Sequence, residues 1–201
     1  MKILFVCTGN TCRSPMAEAL LKEKMPNIEV KSAGIFAAKN QRASHHTIKV
    51  LEEKGIILDH QSQPVEEKLL HWADVVLTMT TGHKQSLMMQ FPNFQDKYYT
   101  LKEFVSDSDK KVWEELKSLY ADYELKRSQF IQQYQHKLKN DQLEEKLEEY
   151  LHPEIEKINQ LESSLINYDI SDPFGGDIST YQKTLDELED YIMLLIKKYK
   201  K

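Results

Sequence analysis

Residues 3–21 constrain this chain more tightly than any other stretch. Ile3-Leu4-Phe5-Val6 is a short, uncharged, β-branched and aromatic run, the pattern of a buried strand. Met16-Ala17-Glu18-Ala19-Leu20-Leu21 is a run of good helix formers. Only the tight segment Cys7-Thr8-Gly9-Asn10-Thr11-Cys12-Arg13-Ser14-Pro15 separates them. Ser14 reads as the helix cap, with Pro15 at the first helical position, where its missing N–H costs nothing. Gly9 and Asn10 tolerate the left-handed backbone that such a loop needs. Strand, loop and helix in this order make an anion cradle: backbone N–H groups point inward at a helix N-terminus.

A thiol opens the cradle and a guanidinium nearly closes it. Cys7 beside those N–H groups and Arg13 is expected as a thiolate, the form that attacks. Arg13 can hold two oxygens of a tetrahedral oxyanion in a fork. A nucleophile facing a phosphate clamp points to covalent catalysis on a phosphoryl group. Ser14 is placed to donate a hydrogen bond to Cys7 and steady it as leaving group. The plainer alternative is an ordinary buried thiol at a strand end, but the strand–loop–helix context favours the functional reading. The two cysteines of the chain both lie in this loop, so there is no disulfide framework. Cys7 and Cys12 lack a second ligand pair, and the seven histidines are scattered, so no metal centre is expected.

At 201 residues the chain can bury one sizeable core with length to spare. A net charge of −5 argues against a nucleic-acid binder. There is no apolar run of membrane-spanning length and no signal segment, so a cytoplasmic protein without membrane attachment is expected. Strands are predicted at 28–33, 73–80 and 97–101, the last at a sheet edge. Helices are predicted at 41–55, with Ile48, Val50 and Leu51 inward, and at 64–72, 84–91 and 180–199. Leu185, Leu188, Ile192 and Leu195 form the apolar stripe of the last. Alternating strands and helices imply α/β architecture: a small four-stranded parallel sheet with helices on both faces. Its ligand site lies at the carboxyl ends of the strands.

Residues 107–168 differ in kind. Pro153 is their one proline, and they contain no glycine. Val112, Leu116, Leu119, Tyr123, Phe130, Tyr134 and Leu138 recur at steps of three, four or seven. Leu143, Leu147, Tyr150, Ile155, Ile158, Leu161 and Leu165 do much the same. The reading is an inserted antiparallel α-helical hairpin turning at Asn140-Asp141, its second arm kinked or divided at Pro153. Residues 1–106 and 169–201 then form the main domain. Nine Lys/Arg stand against fourteen Asp/Glu in the hairpin, which therefore carries the whole net charge of the chain. It is either a solvated appendage or an arm for docking proteins or for self-association.

A phosphoenzyme needs a proton donor for its leaving group. Asp172-Pro173-Phe174-Gly175-Gly176 is the candidate: Pro173 stiffens the segment and the glycines permit a sharp turn. Residue pattern alone equally allows a turn leading into the last helix, capped by Asp177 or Ser179.

Residues 5–18, Phe5 to Glu18, resemble the phosphate loop of the low-molecular-weight protein tyrosine phosphatase family, and within it the bacterial protein-arginine phosphatase branch. Ser32-Ala33-Gly34-Ile35-Phe36-Ala37, Thr78-Met79-Thr80 with His83-Lys84, Thr100-Leu101-Lys102-Glu103 and Asp172-Pro173-Phe174-Gly175-Gly176 carry the same resemblance. It covers residues 1–106 and 169–199 and not the stretch between. It implies a phosphotyrosine phosphatase I-like fold, phosphorylated protein substrates and no cofactor, with Cys7, Arg13 and Asp172 as nucleophile, clamp and general acid. Thr8, Gly9, Asn10, Thr11, Cys12 and Ser14 would hold the phosphate. Threonine at position 11 matches the arginine branch, where tyrosine phosphatases carry a larger aliphatic residue. Its hydroxyl can orient a guanidinium and its size leaves room for one. Phe36 and Phe174 would supply aromatic walls. The resemblance thus points to hydrolysis of phosphoarginine through a cysteinyl-phosphate, with a tyrosine phosphatase as the alternative. An arsenate reductase of this fold would need cysteines beyond Cys12. A non-catalytic phosphoprotein-binding module would not need Cys7, Arg13 and Asp172 intact, whereas a scaffold whose working part is the hairpin stays open.

Overall fold

The computed structural model describes residues 1–106, 110–138, 140–164 and 167–200. The chain divides into two units, Met1–Ser106 with Tyr168–Lys201, and Asp107–Asn167.

The first unit is built on four parallel strands in the order β2-β1-β3-β4: β1 (Lys2–Cys7), β2 (Glu29–Gly34), β3 (Val75–Thr78) and β4 (Tyr98–Thr100). β4 lies at an edge, as its sequence suggests. Successive residues of a strand point to opposite faces, and β1 is apolar on both. Ile3, Phe5 and Cys7 enter one core with helices α1 (Arg13–Lys24), α2 (His45–Glu53) and α8 (Ile178–Tyr199). Leu4 and Val6 enter the other, with α3 (Glu67–Trp72) and α4 (Thr81–Gln90). A sheet covered on both faces needs this near-continuous apolar strand. The α8 stripe is fully buried, as read: Leu185, Leu188, Ile192 and Leu195 are each 0% exposed. Truncating any one to alanine would cost ~2–5 kcal/mol.

The observed bounds differ from the predicted ones where a side chain takes over from periodicity. The helix expected at 41–55 begins at His45, because Ser44 caps it by accepting the Thr47 N–H; Ile48 is only partly buried there, while Thr47, Val50 and Leu51 are buried. The helix expected at 64–72 begins at Glu67, since Pro64 instead bridges to Gly34. α4 starts three residues early, capped by Thr80. A short α5 (Leu101–Val105) follows β4, opened by a Thr100–Glu103 capping box.

In the second unit, α6 (Lys110–Tyr134) and α7 (Asn140–Ser164) run antiparallel. Tyr120 bonds Glu162, Lys126 pairs with Glu154, and Phe130 stacks on Tyr150 at 4.9 Å. Leu116, Leu151 and Ile158 are buried along the seam. Tyr150, expected inward, is 46% exposed, and Leu151 takes the inner position. α7 passes through Pro153 without dividing. Asn140 and Asp141 are its first turn rather than the connection, which falls at 135–138. Leu165, assigned to the apolar seam from sequence, lies outside the described residues.

Candidate active site

The loop between β1 and α1 takes its shape from bonds on its outer side. Cys7 O accepts from Ile35 N, Thr8 O from Phe36 N, Thr11 O from Ser44 N and Cys12 O from Met16 N, all at 2.9–3.2 Å. Asn10 O lies 2.8 Å from His60 Nε2. In a trans peptide the C=O and the next N–H point in opposite directions. Each outward carbonyl therefore turns the following N–H, of Thr8, Gly9, Thr11, Cys12 and Arg13, to the inner side. The cradle expected from sequence is thereby formed. Gly34 allows it, because a Cβ there would stand 2.6 Å from Thr8 O and 2.8 Å from Asn10 N.

The left-handed residue of the loop is Asn10, with φ 54°; Gly9 does not share it. Asn10 is fully buried. Its Nδ2 donates to Ser14 Oγ at 3.0 Å and to Ser32 Oγ at 2.8 Å, and its Oδ1 accepts Gln63 N at 2.9 Å. Ser32 Oγ in turn donates to Glu18 Oε2 at 2.5 Å. Ser14 Oγ stands 3.0 Å from Cys7 Sγ. Ser14 accepts from Asn10, and its own proton lies between Cys7 Sγ and the more distant Ala33 O at 3.4 Å, so the bond to sulfur suggested by the sequence is the shorter of two. Ser14 is not the helix cap: α1 starts at Arg13, and the Ser14 hydroxyl is spent on Cys7 instead. Asn10 and Ser14, expected to touch phosphate, hold the loop from beneath with their side chains.

A cleft of ≈ 430 Å³ opens above the loop, lined by Cys7, Thr8, Gly9, Thr11, Cys12, Arg13, Phe36 and, across from them, Asp172 and Phe174. Ala38 and Gln41, which sequence reasoning did not single out, complete the rim. Phe36 and Phe174 are 74% and 81% exposed, so they stand at the mouth with their faces free. Arg13 is buried; its Nη1 donates to Ile170 O at 3.3 Å and its Nη2 to Asp172 Oδ2 at 2.7 Å. Asp172 Oδ1 accepts Phe174 N, and Gly176 N returns to Pro173 O at 2.9 Å around Gly175, whose φ is +80°. The segment is a turn leading into the last helix, and it also lines the cleft. The turn presents Asp172 to the cleft, and Asp177 caps α8, its carboxyl lowered to about 2 by the Thr180 N–H.

His83, at the start of α4, was legible only as part of a motif. Its Nε2 lies 2.8 Å from Thr8 Oγ1, and its Nδ1 is buried without a hydrogen bond among the described residues. Burial, then the nearby Arg13 charge, lowers it to about 4, against the pull of Asp172 and Asp169. Tyr181 of α8 reaches Cys12 Sγ at 3.4 Å; burial, then this contact, raises its phenol. Among the described residues no group of three or more His, Cys, Asp or Glu could hold a metal ion, and no helix is long and apolar enough to cross a membrane.

A Cys-x5-Arg loop at the carboxyl end of the first strand of a parallel sheet, faced by an Asp-Pro turn, is the arrangement of one class of phosphatase. The chain belongs to the low molecular weight phosphotyrosine protein phosphatase family, whose model matches residues 2–161. Its relatives include proteins of two names, protein-arginine-phosphatase and low molecular weight protein-tyrosine-phosphatase; one of the latter, from Staphylococcus aureus, is 45% identical over 108 residues, 54% of this chain and 76% of the relative. The chain is 46% identical over 198 residues to a protein-arginine-phosphatase of Geobacillus stearothermophilus, covering 98% of this chain and 95% of the relative. It is 37% identical over 205 residues to the protein-arginine-phosphatase of Bacillus subtilis, covering 100% of this chain and 98% of that one. Among solved structures it resembles a YwlE arginine phosphatase described as a C7S mutant with phosphorylated active site serine. The TM-score is 0.68 and the identity 36%, with 100% of this chain and 97% of the other covered.

Proposed function

We propose that this phosphatase hydrolyses phosphoarginine in proteins. The observation that carries the reading is Cys7 Sγ, 3.0 Å from Ser14 Oγ at the floor of an N–H cradle and facing the Arg13–Asp172 pair. Cys7 attacks phosphorus in line. The S–P bond forms as the P–N bond breaks, and Asp172 gives its proton to the departing guanidine nitrogen. Arg13 and the inward N–H groups hold the three equatorial oxygens. Asp172 then takes a proton from water, whose oxygen bonds phosphorus as the S–P bond breaks. Ser14 stabilises the departing thiolate. Arg13 and the cradle supply the positive charge for both steps.

The guanidine preference draws support from Thr11 on the cleft wall, from Phe36 and Phe174 at its mouth, and from the relatives named for arginine. In this reading the protein is cytoplasmic, its substrates are phosphorylated proteins, and the acidic second unit serves docking or self-association. Hydrolysis of a phosphoarginine peptide and a phosphotyrosine peptide of the same flanking sequence, measured side by side, tests it. A larger kcat/KM on phosphoarginine is expected. A larger value on phosphotyrosine replaces the reading with the tyrosine phosphatase that the family's name describes.

A further inference from the structure

Behind the Asp-Pro turn lies a charge pair that takes no part in lining the cleft. Lys102, on α5, has a side chain only 9% exposed, and its ammonium lies 2.7 Å from Glu187 Oε1. Glu187, on α8, turns its other oxygen to Ser171. Oε2 accepts the Ser171 hydroxyl at 2.7 Å and the Ser171 N–H at 3.2 Å. Thr184 Oγ1, one turn earlier on α8, lies 3.1 Å from Ser171 Oγ. Burial pushes the Glu187 carboxyl up, but the Lys102 ammonium and the two Ser171 donors outweigh it, leaving it below the ordinary range. Both oxygens of this carboxylate are committed. A partly buried ion pair is a poor source of stability, because desolvation and solvent screening offset its attraction; fixing one arrangement is the better account of it.

The arrangement it fixes is the residue before Asp172. Residues 170–172 have other holds as well. Ile170 N donates to Met79 O at 2.8 Å, and Arg13 bonds both Ile170 O and Asp172. The Arg13–Asp172 bond cannot last unchanged through the reaction, since Arg13 must turn its donors to phosphoryl oxygens. Asp172 is itself half exposed, so packing does little to hold it. Once Arg13 is engaged, the buried Ile170 with its bond to Met79, the local Phe174 N–H and the Thr184 contact remain, and Glu187 is the charged group that holds both polar atoms of Ser171.

We propose that Glu187, held by Lys102, is a positioning residue that keeps the Asp172 carboxyl over the leaving atom when Arg13 grips the phosphoryl group. This rests on the reading of Asp172 as proton donor. Neither Glu187 nor Lys102 touches substrate; both act through Ser171.

The test compares kcat/KM on p-nitrophenyl phosphate, whose leaving group departs with little help, with kcat/KM on phenyl phosphate, whose leaving group needs the proton; kcat/KM reports the step in which that group departs and not the hydrolysis common to both. The ratio of the two, taken on one sample, is independent of the folded fraction. Asp172→Asn should raise it by ~100-fold, within the span of general acid catalysis. Glu187→Ala and Lys102→Met should each raise it by ~10-fold, the scale of a small misplacement of a reacting group. Glu187→Gln should raise it less than Glu187→Ala, because the amide oxygen still accepts from Ser171. The proposal is overturned if Glu187→Ala and Lys102→Met leave the ratio within about twofold of the parent while Asp172→Asn raises it. If Asp172→Asn does not raise it, the proton donor lies elsewhere and the positioning role falls with it.

Discussion

Asp172 Oδ2 lies 2.7 Å from Arg13 Nη2, so the two charged groups facing the cleft are bonded to each other. The proposed chemistry needs them apart: Arg13 on the phosphoryl oxygens and Asp172 on the leaving atom. Asp172→Asn removes the charge that Arg13 satisfies and frees the guanidinium for anions. Turnover should fall roughly 10²- to 10⁴-fold. Inorganic phosphate should inhibit the variant more strongly than the parent. Steady-state kinetics with phosphate as competitor reads both effects. Full turnover with an unchanged pH profile would remove Asp172 from the mechanism.

Cys7 and Ser14 make a second testable unit. Cys7→Ser keeps the cradle, since the outward bonds of the loop are backbone bonds, but replaces the nucleophile with a poorer one. Turnover should vanish while phosphate binding persists. Residual activity within tenfold of the parent, ~1.4 kcal/mol in barrier, would exclude Cys7 as the nucleophile.

Thr11 lines the cleft beside Cys12, with its Oγ1 3.6 Å from Cys12 Sγ. Thr11→Ile removes a hydroxyl and adds bulk at the point where a guanidinium would lie. Activity on phosphoarginine should drop by about tenfold or more and activity on phosphotyrosine should rise. Parallel losses on both substrates would mean that Thr11 only packs in the loop.

The loop was legible because its chemistry is local: strand, Cys7, Arg13 and helix are contiguous, and each residue type has one good use there. Asp172 stood out only through the family resemblance of its Asp-Pro segment; the residue pattern alone left it open. What the sequence hid is what holds these groups. Ser32, His60 and Gln63 reach Asn10 from elsewhere in the chain, and Glu187 reaches Ser171 from α8. No periodicity announces a polar residue whose partner is set by tertiary folding. The same gap misread Ser14: its cap signal is real, but Cys7 and Asn10 compete for the hydroxyl and win. At Pro153, of the two expected outcomes, division does not occur, since α7 runs through the proline.

His83 gives a pH prediction with a definite sign. Its ordinary value is 6.5 and burial brings it to about 4 in the folded protein. Between those values the unfolded chain binds a proton that the folded one refuses. Its contribution is therefore complete above about pH 6.5 and is lost as pH falls toward 4. His83→Gln keeps a donor for Thr8 Oγ1 but does not titrate. Denaturant melts at pH 7 and pH 5 should show the variant losing less stability than the parent, by about 1 kcal/mol once solvent screening is allowed for. Carboxylates titrate alike in both proteins, so equal losses would mean that His83 is protonated in the folded state.

The second unit poses the remaining question. Every group given a part in the chemistry, from Cys7 to Glu187, belongs to the first unit. α6 and α7 are 25 residues each, about 38 Å of helix. Their surface is acidic, and acidic surfaces attract basic partners in a salt-dependent way. Replacing residues 107–167 with a short linker should leave p-nitrophenyl phosphate hydrolysis within about threefold of the parent, ~0.6 kcal/mol in barrier. It should slow turnover of phosphorylated proteins, most at low salt, or change the oligomeric state seen by light scattering. Unchanged protein turnover and unchanged assembly would make the unit an inert insertion. Loss of small-substrate activity in a variant whose melting curve stays cooperative would mean something else: that the segment steadies the turn bearing Asp172, which begins a few residues after it. Docking would then be the wrong account of its acidity.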